Sequence, residues 1–155
     1  AILLTASVAF SADDIQTLTQ QCEANNAEAC ADLGAVYVNG TGVPTNQKKA
    51  FELVQKVCDL GSANGCSAVG TFYVKGAEWN SGVAKDTSKA FAFYKKACDM
   101  GDAQGCANLG ALYYYGGDGV KKDINAAKNY SKKACSMGYQ DGCHNYKIML
   151  RQGGR

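Results

Sequence analysis

Every cysteine of this chain belongs to a pair with seven residues between its members. "CEANNAEAC" runs from Cys22 to Cys30, "CDLGSANGC" from Cys58 to Cys66, "CDMGDAQGC" from Cys98 to Cys106 and "CSMGYQDGC" from Cys135 to Cys143. In a continuous helix, residues eight apart rise about 12 Å along the axis, whereas a disulfide needs Cα atoms within about 7 Å. The chain must therefore turn between the two members of each pair. Gly61, Gly101 and Gly138 stand three residues after the first cysteine and permit that turn; in "EANNAEA", which lacks glycine, Asn25 or Asn26 takes the left-handed conformation. The first cysteine then ends one helix and the second lies in the first turn of the next, antiparallel helix. The expected bonds are strictly local: Cys22–Cys30, Cys58–Cys66, Cys98–Cys106 and Cys135–Cys143. By loop entropy each contributes about 2–3 kcal/mol. Zinc is the competing use of cysteine, but structural zinc sites hold two thiolates on a tight turn of about two to four intervening residues, and no pair here is that close.

The pairs mark a repeat. Aligned on the second cysteine, "AEACADLGAVYVNG", "ANGCSAVGTFYVKG" and "AQGCANLGALYYYG" share the frame A-x-x-C-x-x-[LV]-G-x-x-Y-x-x-G. Gly42-Val43, Gly82-Val83 and Gly119-Val120 follow in the same register, and "KKAFELVQKVC", "SKAFAFYKKAC" and "NAAKNYSKKAC" lead into the next pair. Each unit reads as two helices. Leu33, Val36 and Tyr37 recur at helical spacing until Gly40; Ala50, Leu53, Val54 and Val57 do so until Gly61. Thr45, Asp86 and Asp123 are candidate caps for the second helices. The expected helices are 13–24, 27–38, 46–59, 63–75, 87–99, 103–115, 123–136 and 140–151. The fold class is all-α: a right-handed α/α solenoid of antiparallel helix pairs, stapled by four disulfides. One domain is expected over 13–151, with repeats at 27–62, 63–102 and 103–139, an N-terminal helix at 13–24 and a C-terminal capping helix at 140–151. His144, Lys147 and Arg151 supply the polarity a cap requires.

The opening "AILLTASVAFSADD" reads as the apolar region and cleavage zone of a secretory signal peptide, giving a remnant at 1–12 and a mature start at Ala12 or Asp13. The alternative is an apolar first helix. The run is too short for a membrane span. Export agrees with an even cysteine count, because disulfides persist in oxidising compartments; the expected location is periplasmic or secreted. The balance of 16 Lys+Arg against 14 Asp+Glu argues against a nucleic-acid partner. The lysine doublets read as solvated faces and helix C-termini.

The frame A-x-x-x-A/C-x-x-LG-x-x-Y-x-x-G-x-G-V-x-x-D-x-x-KA resembles the Sel-one-like repeat, a relative of the tetratricopeptide repeat. The C-x7-C in every unit resembles the secreted subgroup of Helicobacter cysteine-rich proteins. The likeness spans residues 22–143. It departs from the pattern at the extra residues of "KGAEWNSGVAKD", at Ala126 where lysine is expected, and at Val69 in place of leucine. The resemblance implies a stapled solenoid, export and a scaffold for protein–protein contacts. For the cysteine-rich subgroup it also implies an association with β-lactam binding or hydrolysis and with host interaction.

Chemistry to support catalysis is absent from the motifs. Ser67, Ser88 and Ser131 are followed by "AVG", "KAF" and "KKA", so no Ser-x-x-Lys places a base one turn from a nucleophile. The one histidine, His144, lies on the capping helix, and the glycines are periodic helix stops. No catalytic residue, metal or cofactor is assigned. The favoured reading is an exported scaffold for a protein or peptide partner, with a peptidoglycan-related ligand as a variant. A weak β-lactam-binding protein is the first alternative and a structural subunit of an envelope assembly the second. Candidate partner-binding residues lie on the first helix of each unit. Val36, Phe72, Leu112 and Met149 form an apolar line across units, with inter-helix core as the competing reading. Asn39, Lys75 and Tyr115 vary one turn on. Trp79, in the insertion, either anchors a partner or folds back over the solenoid edge.

Overall fold

A computed structural model describes residues 10–153 of the chain. The expected signal-peptide segment falls mainly on residues 1–9, outside the described residues. Within them, eight α-helices follow one another: α1 (Ala12–Glu23), α2 (Ala27–Asn39), α3 (Gln47–Asp59), α4 (Ala63–Lys75), α5 (Thr87–Asp99), α6 (Ala103–Tyr115), α7 (Ile124–Ser136) and α8 (Gln140–Gln152). A 3-10 turn at Gly76–Trp79 follows α4. α1 starts one residue earlier than expected, at Ala12. Ser11 caps α1 in a reciprocal capping box with Asp14, whose carboxyl is held below the usual range by its hydrogen bonds from Ser11.

Local chemistry sets most helix boundaries. Asn46, Asp86 and Asp123 occupy the same place in the three units, and each accepts a hydrogen bond from the backbone N–H three residues on. Such caps are worth about 1 kcal/mol each. Thr45 is therefore not the cap of α3; its neighbour Asn46 is, because the amide oxygen reaches the Lys49 N–H at 3.0 Å. At the cysteine turns Asn25, Gly61, Gly101 and Gly138 all have φ between 65° and 97°. Asparagine tolerates this conformation through its short polar side chain, which explains how the first junction dispenses with glycine.

All four cysteine pairs stand at bonding distance in the expected local pairing, with Cα separations of 4.4–4.6 Å. Each staples the end of a second helix to the start of the next first helix. Three of the four bonds are buried; Cys135 and Cys143 are half-buried near the end of the solenoid.

Consecutive helices pack antiparallel, and α4 also meets α6 as α6 meets α8. Second helices make no comparably close approach to one another, so the first helices line the inner, concave side. The frame tyrosines hold the layers together. Tyr73 lies between Phe51 and Phe93, at ring separations of 5.7 and 5.8 Å, and one unit later Tyr113 lies between Phe91 and Tyr130 at 5.2 and 5.6 Å. Lys49 and Lys89 cover the Tyr37 and Tyr73 rings at 4.6 and 5.4 Å. Ala126 stands at the matching place in the third unit and supplies no such cation.

Two candidate contact residues are corrected by this packing. Val36 and Phe72 are 1% and 2% exposed. The face of the first helix they occupy is pressed against neighbouring helices, so the apolar line they form with Met149 is core. Phe72 is further covered by Trp79, edge-on at 4.9 Å.

Candidate binding groove

The first helices do not stack evenly. α2 stands farther from α4 than α4 does from α6, and the space between them is a groove of about 310 Å³. Its walls begin with small residues, Ala31, Gly34, Ala35 and Ala68, which keep the helix surfaces low. At Gly34 an added Cβ would meet Leu53 and Val54 at 3.7 Å, an ordinary contact; at Gly70 it would stand 2.7 Å from the Tyr94 ring. The same frame glycine is thus tightly closed in the second unit and relaxed in the first, where the groove opens.

Polar groups of one kind line the groove. Asn39 comes from α2, Asn64, Ser67 and Thr71 from α4, and Gln104 from α6. Among the described residues no charged side chain lines it. Thr71 Oγ1 donates to the Ser67 carbonyl at 3.2 Å and shares a 3.0 Å hydrogen bond with the Tyr94 hydroxyl. Burial raises the Tyr94 phenol above its ordinary value, with the Thr71 bond pulling the other way. Ser67 differs from Thr71: it is 2% exposed, and its Oγ has no hydrogen-bond partner among the described residues. Trp79 closes one end. The extra residues of the second unit turn tightly through Gly76–Trp79 and bring the indole back against Phe72 at the groove edge. Of the two readings of Trp79, folding back is the one observed, and its half-exposed ring still faces the groove.

A second concavity of about 300 Å³ lies between α6 and α8, lined by Tyr114, Tyr115, Asn145, Ile148, Met149 and Gln152 among others. Tyr114 donates to Gln152 Oε1 at 2.7 Å, and Tyr115 packs edge-on against Tyr114 while remaining 78% exposed. Leu112 is half-buried against the third-unit core, and Lys75 is half-buried at the end of α4. The predicted contact residues thus separate. Trp79 and, at its buried edge, Phe72 line one groove, Tyr115 lines the other, and Val36, Lys75 and Leu112 line neither.

Asn64, Ser67 and Gln104 were not singled out from the sequence. A signal existed: two residues before the second cysteine stand Glu28, Asn64, Gln104 and Asp141, always polar and never the same twice running. Ser67 stands where the flanking units have Ala31 and Ala107. Among the described residues, no group of three His, Cys, Asp or Glu side chains is placed to hold a metal ion. No helix there is long and apolar enough to cross a membrane.

The Sel1 repeat model matches the chain three times in succession, at residues 27–62, 63–102 and 103–139. The chain belongs to the Sel1 repeat family. Cysteine-rich protein B of Helicobacter pylori is 36% identical over 85% of this chain and 91% of its own, with a TM-score of 0.64. A protective antigen of uropathogenic Escherichia coli displaying an SLR fold is 27% identical, with a TM-score of 0.75 over 83% of this chain and 26% of that one. A Sel1 repeat protein from Oxalobacter formigenes shares the fold at a TM-score of 0.78 and 23% identity, over 91% of this chain and 56% of its own. This Sel1 repeat chain therefore spans about a quarter and about half of the last two structures. No curated protein sequence matches it. As a Sel1 repeat solenoid it has a scaffold fold used for protein–protein interaction, and its four bonded cysteine pairs fit an oxidising compartment.

Proposed function

We propose that this chain is an exported scaffold that binds another protein through its concave face, in the periplasm or outside the cell. One observation carries the reading. On a frame whose cysteines, glycines and tyrosines recur in three successive units, the matching places at the ends of the first helices hold Asn39, Lys75, Tyr115 and Gln152, four different polar or aromatic groups. Packing does not require that variety, because Tyr115 is mostly solvent-exposed. Recognition of a particular partner does require it. Trp79, Lys75, Leu112 and Tyr115 are the proposed contact residues, with Val36 and Phe72 acting from beneath as support.

The test is affinity capture from an envelope extract of the native cell on immobilised, oxidised chain, repeated with Tyr115→Ala and Lys75→Ala. A captured partner should be retained at least about tenfold more weakly by one of the two variants, with unchanged melting. Retention of the same partner unchanged by both, or loss that tracks unfolding, would reject the concave face as the binding surface. Periplasmic or extracellular fractionation of the native protein tests export separately; a reduced, cytosolic protein would reject it.

A further inference from the structure

From the groove between α2 and α4 we infer that its occupant is an extended, uncharged peptide segment that inserts one tyrosine side chain, with Ser67 Oγ receiving the phenol. The inference rests on the scaffold reading above and narrows it to one site and one ligand chemistry.

Three observations converge. The groove has hydrogen-bonding side chains but no charged lining residue among the described ones, so a charged group entering it would lose hydration without an opposite charge in return. Its amides, Asn39, Asn64 and Gln104, come from three successive first helices. A side-chain amide offers both a donor and an acceptor, which matches the two groups of a peptide unit, and a ladder across three helices suits an extended chain. Finally, Ser67 helps to line the groove, and its Oγ is a hydroxyl without a hydrogen-bond partner among the described residues, buried beneath the groove surface, where a turn of χ1 would offer it to an occupant. Thr71, beside it, is already committed to the Ser67 carbonyl and to Tyr94. About 310 Å³ is at the small end of ligand pockets, the scale of one large side chain with its adjoining backbone. Small apolar residues, Ala31, Ala35 and Ala68, beside an unpartnered hydroxyl favour a side chain with an apolar body and a polar tip, which describes tyrosine. Trp79, set in the insertion of the second unit, supplies an aromatic edge for that ring.

The experiment uses the full oxidised chain and a phage-displayed library of random heptapeptides. Selected peptides should converge on a tyrosine flanked by uncharged residues. In a synthetic peptide of the consensus sequence, replacing that tyrosine by phenylalanine should weaken binding about tenfold, the loss of one well-formed hydrogen bond. Ser67→Ala should reduce this preference to about twofold while leaving the phenylalanine peptide's affinity unchanged. Ala35→Phe, on an exposed position of the groove wall, should abolish binding of both peptides with melting preserved. Lys132→Ala, on α7, should change nothing. A consensus with a charged anchor, or binding indifferent to Ala35→Phe, overturns the assignment. If selected peptides are lost with Tyr115→Ala but kept with Ala35→Phe, the scaffold reading stands and this site is wrong. Failure to select any peptide, with chitotetraose bound in the groove instead, overturns the peptide class itself.

Discussion

The α2/α4 seam and the α6/α8 seam are built from the same frame and present different surfaces. At the first, the glycine of the frame has room to spare, the helices part, and the space is uncharged and walled by Trp79. At the second, Gly110 is closed against Ser131 Oγ and the Ala127 carbonyl, α6 and α8 meet, and Tyr115 and Ile148 project at the rim. The residue opposite the frame glycine is Val54, then Tyr94, then Ser131. A solenoid conserves its backbone while substitutions at a few facing positions decide where it gapes. The family frame predicts a concave face; which stretch of it can admit a side chain is a property of this chain.

The largest expected effect concerns the staples that both seams share. Replacing Cys58 and Cys66 by alanine should cost about 2–5 kcal/mol in guanidinium denaturation, towards the upper end. That bond is buried at the centre of the chain and couples units that touch only their neighbours. The same change at half-buried Cys135 and Cys143 should cost less, with the upstream units still unfolding cooperatively. Equal losses at both junctions would show that ring size alone, and not position, sets the contribution. The next test separates the seams directly. Gly110→Ala should destabilise by about 1–3 kcal/mol through overpacking on Ser131 and the Ala127 carbonyl. Gly34→Ala should stabilise by up to about 1 kcal/mol, since it gains helix propensity without a clash. Loss of stability at Gly34 would mean that the first seam is as tight as the second.

Smaller effects sharpen the contrast between buried and exposed polar groups. Tyr115→Ala should leave the denaturation midpoint within about 0.5 kcal/mol of the parent, because its ring lies mostly in solvent. A clear drop would place it in the packing and remove it from the contact surface. The weakest expected effect is alkaline. The folded state holds the Tyr94 proton more tightly than the unfolded chain does, because burial disfavours the phenolate. Its contribution is therefore fully present below about pH 10 and is lost as pH rises beyond the ordinary tyrosine value. Urea midpoints of Tyr94→Phe should decline less steeply than the parent's above that pH. Parallel curves would show that the phenolate is solvated in the folded chain.

Helix order, boundaries and staples were legible because their causes are local. A cysteine eight residues from its partner across a glycine turn has one neighbour to bond, and Asn46, Asp86 and Asp123 each cap the second helix of their unit. Even the error at Thr45 was one residue wide. The contact surface was less legible. Val36 and Phe72 share an apolar stripe with the rest of the first helix, and periodicity assigns a residue to a face without saying what covers it. Trp79 illustrates the limit: an insertion outside the repeat carries no register, so its place against Phe72 depends on where the 3-10 turn sends the chain.

By itself the sequence determined a stapled solenoid of paired helices, since glycine, caps and cysteine spacing act within a dozen residues. Only the tertiary structure decided which seam opens, which side chains reach it and that the buried hydroxyls of Ser67 and Ser131 are left without a partner among the described residues. Those depend on the volumes of residues about twenty positions apart, such as Gly34 and Val54 or Gly70 and Tyr94, that meet only when the helices pack.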